Sequence, residues 1–297
     1  MPSNAGRIAF CGEQGAFAQI ALFRAFGEDA ANLPVSTFAA VFDAVREGSA
    51  AFGVIPVENS LAGSIHENYD LFLKYPDIVI AGEIKIRIVH NLIVHPDASW
   101  DTIKIVRSHP QALAQCKVFL DQHPGWRLET WNNTAAAVVS IVSDMGGISD
   151  IGGENDPLAI AAIASGTAAK LNGLKILKAG IETNPANYTR FVIISCGEGE
   201  KISRPFCLGG DPNNKASVVF AIKDEPGSLY SCLKILAESN INLLKIESRP
   251  IHGQPWHYMF YLDLTIPADQ DNFEAAVAAL KKKAEDFYFL GSYRAAL

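Results

Sequence analysis

The sequence predicts an α/β two-lobed unit followed by a smaller α+β unit of ferredoxin-like topology. Three observations carry this. Residues 7–195 alternate short apolar runs with amphipathic or Ala-rich segments, the pattern of an open α/β sheet. Residues 197–214 interrupt it with linker composition, Gly197-Glu198-Gly199-Glu200-Lys201 and Gly209-Gly210-Asp211-Pro212-Asn213-Asn214. Residues 215–297 then read β-α-β-β-α-β.

In the first unit, residues 7–11 read as a strand, Gly12-Glu13-Gln14-Gly15 as a tight turn and 16–26 as a helix. Ser36 reads as the N-cap of a helix over 37–47. Residues 52–57 form a short buried strand, 59–73 a loop then a helix, and 78–94 one long extended stretch or two strands. A strand at 103–108 precedes a helix over 111–123 that starts after Pro110. Residues 128–131 read as a strand, and the Ala-rich segments 134–144 and 158–171 as helices. Strands at 176–179 and 190–195 close the unit. The block 84–172 reads as a second lobe inserted into 7–83 with 173–196, crossing near 80–85 and 173–180 and leaving a cleft for ligand. In the last unit, strands at 216–222, 243–249, 257–265 and 287–293 frame helices at 228–239 and 271–283, with Gly253 and Pro255 marking the hairpin turn.

Composition narrows the function classes. The 297 residues are 49% hydrophobic and 19% charged, so a sizeable core is expected. A formal charge of −7 argues against nucleic acid, and Lys281-Lys282-Lys283, followed by Glu285 and Asp286, reads as a solvated helix face. No signal peptide and no membrane-spanning stretch are expected. The cysteines (Cys11, Cys116, Cys196, Cys207, Cys232) are scattered with no C-x-x-C pair, which fits a reducing cytoplasm rather than disulfides or zinc. The Asn-x-Thr sequons at Asn133 and Asn187 are then chance matches. His90 and His95 would point to opposite faces of an extended segment, so no metal is expected.

Chemistry is placed at strand–polar–helix junctions. Gly12-x-x-Gly15 fits either an anion-cradling turn or a plain strand-to-helix turn. In Pro56-Val57-Glu58-Asn59-Ser60, Asn59 and Ser60 either contact a substrate carboxylate or cap the next helix. In Ser108-His109-Pro110-Gln111-Ala112-Leu113-Ala114-Gln115-Cys116, Ser108 and Gln115 are candidates to face a ligand together. His109 reads as a structural or helix-capping residue rather than a base, and Cys116 as core. Thr134, after Trp131-Asn132-Asn133, reads as an N-cap that can also touch a ligand. In Asn187-Tyr188-Thr189-Arg190-Phe191, Thr189 offers a hydroxyl and Arg190 a bidentate carboxylate partner, or the segment is simply the start of a strand.

The order of these junctions, with Gly15-Ala16-Phe17 at the start and Thr134-Ala135-Ala136 before Thr189-Arg190-Phe191, closely resembles prephenate dehydratase over nearly the whole chain. The C-terminal unit resembles an ACT regulatory domain. It carries Glu247-Ser248-Arg249-Pro250, and Gly227-Ser228-Leu229-Tyr230 where relatives often have Gly-Ala-Leu-Val. Departures are Ala16 and Ala18 in place of hydroxyl residues, which leave the glycine turn only backbone donors, and Asn132 in place of an acid.

The resemblance implies a periplasmic-binding-protein-like catalytic domain over 7–196, a linker at 197–214 and an ACT domain at 215–297. It implies conversion of prephenate to phenylpyruvate with no cofactor, driven by aromatisation. Thr189, Arg190 and Phe191 are the implied catalytic residues: Thr189 bonds the leaving hydroxyl, Arg190 pairs with a carboxylate or braces the site, and Phe191 forms an apolar wall. Asn59, Ser60, Ser108, Gln115 and Thr134 would orient substrate. L-phenylalanine would act as effector at Gly227, Ser228, Leu229, Glu247, Ser248, Arg249 and Pro250, across the interface of a homodimer or homotetramer. A fused chorismate mutase is not expected, since no long helical extension precedes residue 7. The alternatives are arogenate dehydratase and a non-catalytic cytosolic solute-binding sensor.

Overall fold

The computed structural model describes residues 6–145, 156–197, 213–251 and 257–296. The centre of the expected linker, Cys207 and the turn at Gly253 and Pro255 fall outside them.

The first lobe is built from β1 (Ile8–Cys11), α1 (Phe17–Phe26), β2 (Asn32–Val35), α2 (Phe38–Arg46), β3 (Phe52–Asn59), β4 (Gly63–Ser64), α3 (His66–Lys74) and β5 (Ile78–Arg87). The second contains β6 (Asn91–Val94), β7 (Ile105–Ser108), α4 (Pro110–Gln115), α5 (Lys117–Leu120), β8 (Arg127–Thr130), α6 (Thr134–Met145), β9 (Ile160–Ala164), α7 (Gly166–Leu171) and β10 (Lys175–Lys178). The chain then returns to the first sheet as β11 (Tyr188–Cys196). The C-terminal unit comprises β12 (Lys215–Ala221), α8 (Ser228–Glu238), β13 (Leu243–Pro250), β14 (Tyr258–Thr265), α9 (Gln270–Lys283) and β15 (Asp286–Tyr293).

Among the described residues three sheets form. The first runs β2-β1-β3-β11-β5 with β4 against β3, the second β10-β6-β9-β7-β8, and the third β13-β14-β12-β15. The third order, with two helices on one face, is the ferredoxin-like arrangement.

Several sequence expectations are corrected. The segment 158–171 is not one helix: Ile160–Ala164 is the central strand β9, and the helix starts only after Ser165, whose hydroxyl caps it at Ala168 N. Alanine suggests a helix, but here small residues let both faces of a strand be covered. Ile160, Ala162 and Ala164 pack with Ala137, Val138 and Ile141 of α6, while Ala161 and Ile163 face Leu113 and Cys116. The helix over 111–123 is broken at Cys116 into α4 and α5. Thr37, not Ser36, caps α2 through Ala40 N. Sequence reading passed over β2, which pairs with β1 in parallel. The crossings also lie later than expected, at residues 88–90 and 179–187. The apolar run of β5 stays paired with β11 as far as Arg87, and β10 pairs with β6.

The C-terminal sheet buries its helix-free face on the first lobe. Val219, Tyr261, Leu290 and Tyr293 join Ile78, Ile80, Val192 and Tyr75 in one core. β15 comes so close to β5 that a Cβ at Gly291 (φ 139°) would overlap the Ile80 carbonyl oxygen.

Candidate active site

Where the two lobes meet, a cavity of about 120 Å³ is lined by Asn59 and Thr189 from the first sheet and by Gln111, Ala112 and Gln115 from α4. Phe17, Ile88, His90, His109 and Thr134 complete it. Successive residues of a strand point to opposite faces. Thr189 of β11 pairs with Asn59 of β3 on the cavity side, and the next pair, Arg190 and Glu58, faces away.

A directed chain of hydrogen bonds sets the hydroxyl of Thr189. Asn59 Oδ1 accepts from Leu61 N (3.0 Å) and Ala62 N (2.9 Å), which fixes its amide orientation. Its Nδ2 must then donate, and it reaches Asn187 Oδ1 (2.7 Å), Tyr188 O (3.1 Å) and Thr189 Oγ1 (3.0 Å). Thr189 Oγ1 is therefore an acceptor within the protein, and its own proton remains for a ligand. Asn187 Nδ2 donates to Gln115 Oε1 (2.9 Å), which also meets His90 Nε2 at 2.8 Å. That pattern makes Nε2 the protonated ring nitrogen. Burial lowers the pKa of His90 below the usual imidazole value, against the opposing pull of Gln115 and Glu182. Phe17 closes edge-on against this ring, 5.6 Å between centroids.

Among the described residues no Lys or Arg lines the cavity. Positive potential comes instead from helix N-termini: Phe17 opens α1 and Thr134 opens α6, whereas the first-turn N–H groups of α4, at Gln111 and Ala112, are already taken by His109. Such ends favour anions through free N–H groups and the helix dipole. Asn133, not Thr134, caps α6, accepting from Ala136 N at 2.7 Å, so capping does not occupy Thr134. His109 caps α4 through Gln111 N, as its place before Pro110 suggested. Burial lowers its pKa as well.

Other expected site residues are placed elsewhere. Ser108 is fully buried at the end of β7 and donates to Ile163 O at 2.6 Å, so it braces the second sheet and does not face ligand with Gln115. Ser60 clamps the chain before β11, donating to Ala186 O (2.8 Å) and accepting from Tyr188 N (2.9 Å). Phe191 is buried among Phe10, Ile84 and Ala135, and the apolar wall is supplied by Phe17 and Ile88. Arg190 is 8% exposed and binds carboxylates of the protein itself: Glu58 (3.1 Å), Glu83 (3.0 Å) and Asp263 (2.9 Å). The glycine turn is no anion cradle at Gly15, whose N–H is taken by Gln19 Oε1 (2.6 Å) and whose carbonyl accepts from Ser165 (2.6 Å) across the lobes. A Cβ there would lie 2.5 Å from Ala168 Cα, so this glycine serves the contact between lobes.

Sequence reading missed Asn187 and Phe17 as site residues although both stood in the quoted motifs, and it weighed His90 only as a metal ligand. The signal available for Asn187 was its polarity directly before Thr189.

In the C-terminal unit, Gly227 (φ 84°), Ser228 and Leu229 line a second cavity of about 340 Å³ with Tyr230, His257 and Tyr258. Glu247 and Arg249 do not line it. β14 lies between, and both residues point at the first lobe: Glu247 to Ser64 (2.7 Å) and His66 (3.1 Å), Arg249 to Asp70 (2.9 Å). Ser248 and Pro250 are exposed on the other face of β13.

Residues 8–198 match the family model described as prephenate dehydratase, and residues 216–285 match that of the ACT domain. A bifunctional chorismate mutase/prephenate dehydratase of Aquifex aeolicus is 35% identical over 98% of this chain and 74% of its own length. Arogenate dehydratase 2 of Petunia hybrida is 35% identical over 97% of this chain and 71% of its own. Among solved structures, prephenate dehydratase of Arthrobacter aurescens in complex with L-Phe superposes with a TM-score of 0.82 at 29% identity, covering 97% and 90% of the two chains.

Proposed function

The chain belongs to the prephenate dehydratase family, and from that membership we propose that it converts prephenate to phenylpyruvate in the cavity around Thr189 and Asn59. It is a hydro-lyase whose C-terminal ACT domain brings it under control by L-phenylalanine.

The bond from Asn59 Nδ2 to Thr189 Oγ1 carries the reading. In the reaction the ring carboxylate leaves as carbon dioxide and its bonding electrons enter the ring. The ring C–O bond breaks, and the departing oxygen takes up one proton to leave as water. Negative charge grows on that oxygen, and a hydroxyl whose lone pair is already engaged presents its proton there. A Thr hydroxyl is a weak acid, so its role is to stabilise that charge, while the proton consumed comes from solvent. Gln115 and Thr134 orient the substrate, and the N-termini of α1 and α6 attract its carboxylates. Phe17 and Ile88 exclude water from the ring.

The substrate of arogenate dehydratase bears an ammonium in place of the keto group. Among the described residues no carboxylate lines the cavity. The oxygens of nearby Glu182 are engaged by Arg87 (3.2 Å) and His90 N (3.0 Å). This supports prephenate over arogenate.

We place the enzyme in the cytoplasm, a reading supported by the free thiols Cys11, Cys116, Cys196 and Cys232. The edge strand β13 leaves Leu244 and Ile246 exposed, which supports pairing of ACT domains in a homodimer or homotetramer, with L-phenylalanine held between the Gly227 turn and the exposed side of Ser248 and Pro250.

The test is phenylpyruvate formation from prephenate by the purified chain, with and without L-phenylalanine, alongside arogenate. Turnover of prephenate that falls with L-phenylalanine is expected. A folded chain that turns over only arogenate would refute the substrate assignment, and one that turns over neither would favour a sensor without chemistry.

A further inference from the structure

The back of the active-site strands is held by charges from the ACT domain. Arg190 and Glu58 are immediate chain neighbours of Thr189 and Asn59 and pair across the same two strands, on the opposite face. Arg190 bonds Glu58, Glu83 and Asp263, and its Nη2 lies 3.4 Å from Tyr69 OH. Lys215 of β12 reaches Glu83 at 2.6 Å and Asp263 at 3.2 Å. Lys245 of β13 reaches Glu58 at 3.1 Å and Ser64 at 2.8 Å.

Charge in this cluster is divided between the two parts of the chain. The catalytic part contributes Glu58, Glu83 and Arg190, and the ACT domain contributes Lys215, Lys245 and Asp263, with Glu247 of the same strand 3.7 Å from Lys245. The pairs Lys215 with Glu83, Lys245 with Glu58 and Asp263 with Arg190 each cross between the two parts. Burial works against ionisation of both Asp263 and Arg190. Each is nevertheless held charged by the other, with Lys215 assisting Asp263 and Glu83 assisting Arg190. Ser217 fixes the second Asp263 oxygen at 2.5 Å.

We propose that Asp263 and Lys215 of the ACT domain are positioning residues for the Asn59–Thr189 pair, acting through Arg190 and Glu58, and that this contact carries the effect of L-phenylalanine to the active site. The proposal rests on the prephenate dehydratase reading above. β13 supplies the input. Its residues 245, 247 and 249 grip Glu58, Ser64, His66 and Asp70 of the first lobe, while residues 244, 246, 248 and 250 are exposed on its other face. A ligand that shifts the exposed face shifts the grip. A displacement of Glu58 or Arg190 is felt one residue away by the donor and acceptor that aim the Thr189 proton. Arg190 is thus a positioning residue and not a ligand of the substrate.

The test uses the full chain with Asp263→Asn, which keeps the shape and removes the charge. L-phenylalanine binding is measured by calorimetry, and inhibition of prephenate turnover in parallel. Allosteric coupling commonly changes affinity by roughly 5–150-fold. The expected result is L-phenylalanine binding within about threefold of wild type, with inhibition reduced to less than about twofold. A simple loss of folding or of the effector site would instead remove binding and inhibition together. A variant still inhibited as strongly as wild type, or one that no longer binds L-phenylalanine, would overturn the proposal. If Asp263→Asn does not fold, Lys215→Met is judged by the same two measurements. Turnover by the wild-type chain decides the functional reading separately, so the two failures are distinguishable.

Discussion

Replacing Asn59 by Asp changes little in shape and reverses one hydrogen bond. The carboxylate can still accept from Leu61 N and Ala62 N, so the loop after β3 keeps its anchor. It cannot donate, and an oxygen now stands 2.7 Å from Asn187 Oδ1, 3.1 Å from Tyr188 O and 3.0 Å from Thr189 Oγ1. The proton of Thr189 is the nearest hydrogen able to relieve these contacts, and it turns toward Asp and away from the substrate. Loss of one donor to a developing oxyanion costs about 2.7–4 kcal/mol, so kcat should fall by roughly 10²–10³. Acceptors left without a donor cost about 1–3 kcal/mol each when buried, and at about 2–4 °C per kcal/mol a lower melting temperature is expected as well. The assay is steady-state phenylpyruvate formation over a range of prephenate concentrations, with circular dichroism to establish folding. A folded Asn59→Asp enzyme with kcat within about threefold of wild type would refute the argument that Asn59 aims the Thr189 proton.

Ser108→Ala should leave kcat/KM within about twofold and lower stability by about 0.5–1.5 kcal/mol in denaturant melts, because its hydroxyl is spent on Ile163 O. Phe17→Ala should raise KM for prephenate and leave the Thr189 chain intact, checked by kinetics across substrate concentration. Gly291→Ala should force β15 off Ile80, costing at least about 1–3 kcal/mol and splitting calorimetric unfolding into two transitions. Burial lowers the folded pKa of His90 from its usual 6.5, so the unfolded chain binds more protons below that pH. Stability from this group is complete above about pH 6.5 and falls toward acid by up to about 1.4 kcal/mol per pH unit until the folded pKa is reached. His90→Gln should flatten that slope in urea melts across about pH 5 to 8.

Much of the site was legible because its residues sit at chain junctions. Asn59 ends β3, Gln115 ends α4, Thr134 opens α6 and Thr189 lies near the start of β11, and all line one cavity. The ferredoxin-like unit was legible for a similar reason: its strands and helices have distinct periods and clear turn residues. The strand at Ile160–Ala164 was not, since a short buried run of small residues carries neither period.

By itself the sequence determined the succession of elements, the family and the set of polar residues available for catalysis. It could also show that Thr189 and Arg190 leave β11 on opposite faces, because alternation is a local property of any strand. Which of those faces meets the cleft and which meets the ACT domain was decided only by the tertiary structure. That choice depends on Lys215, Lys245 and Asp263 closing over Arg190, Glu83 and Glu58 from far along the chain. Local sequence carries no record of such a contact, because its energy arises only when distant charges are buried together.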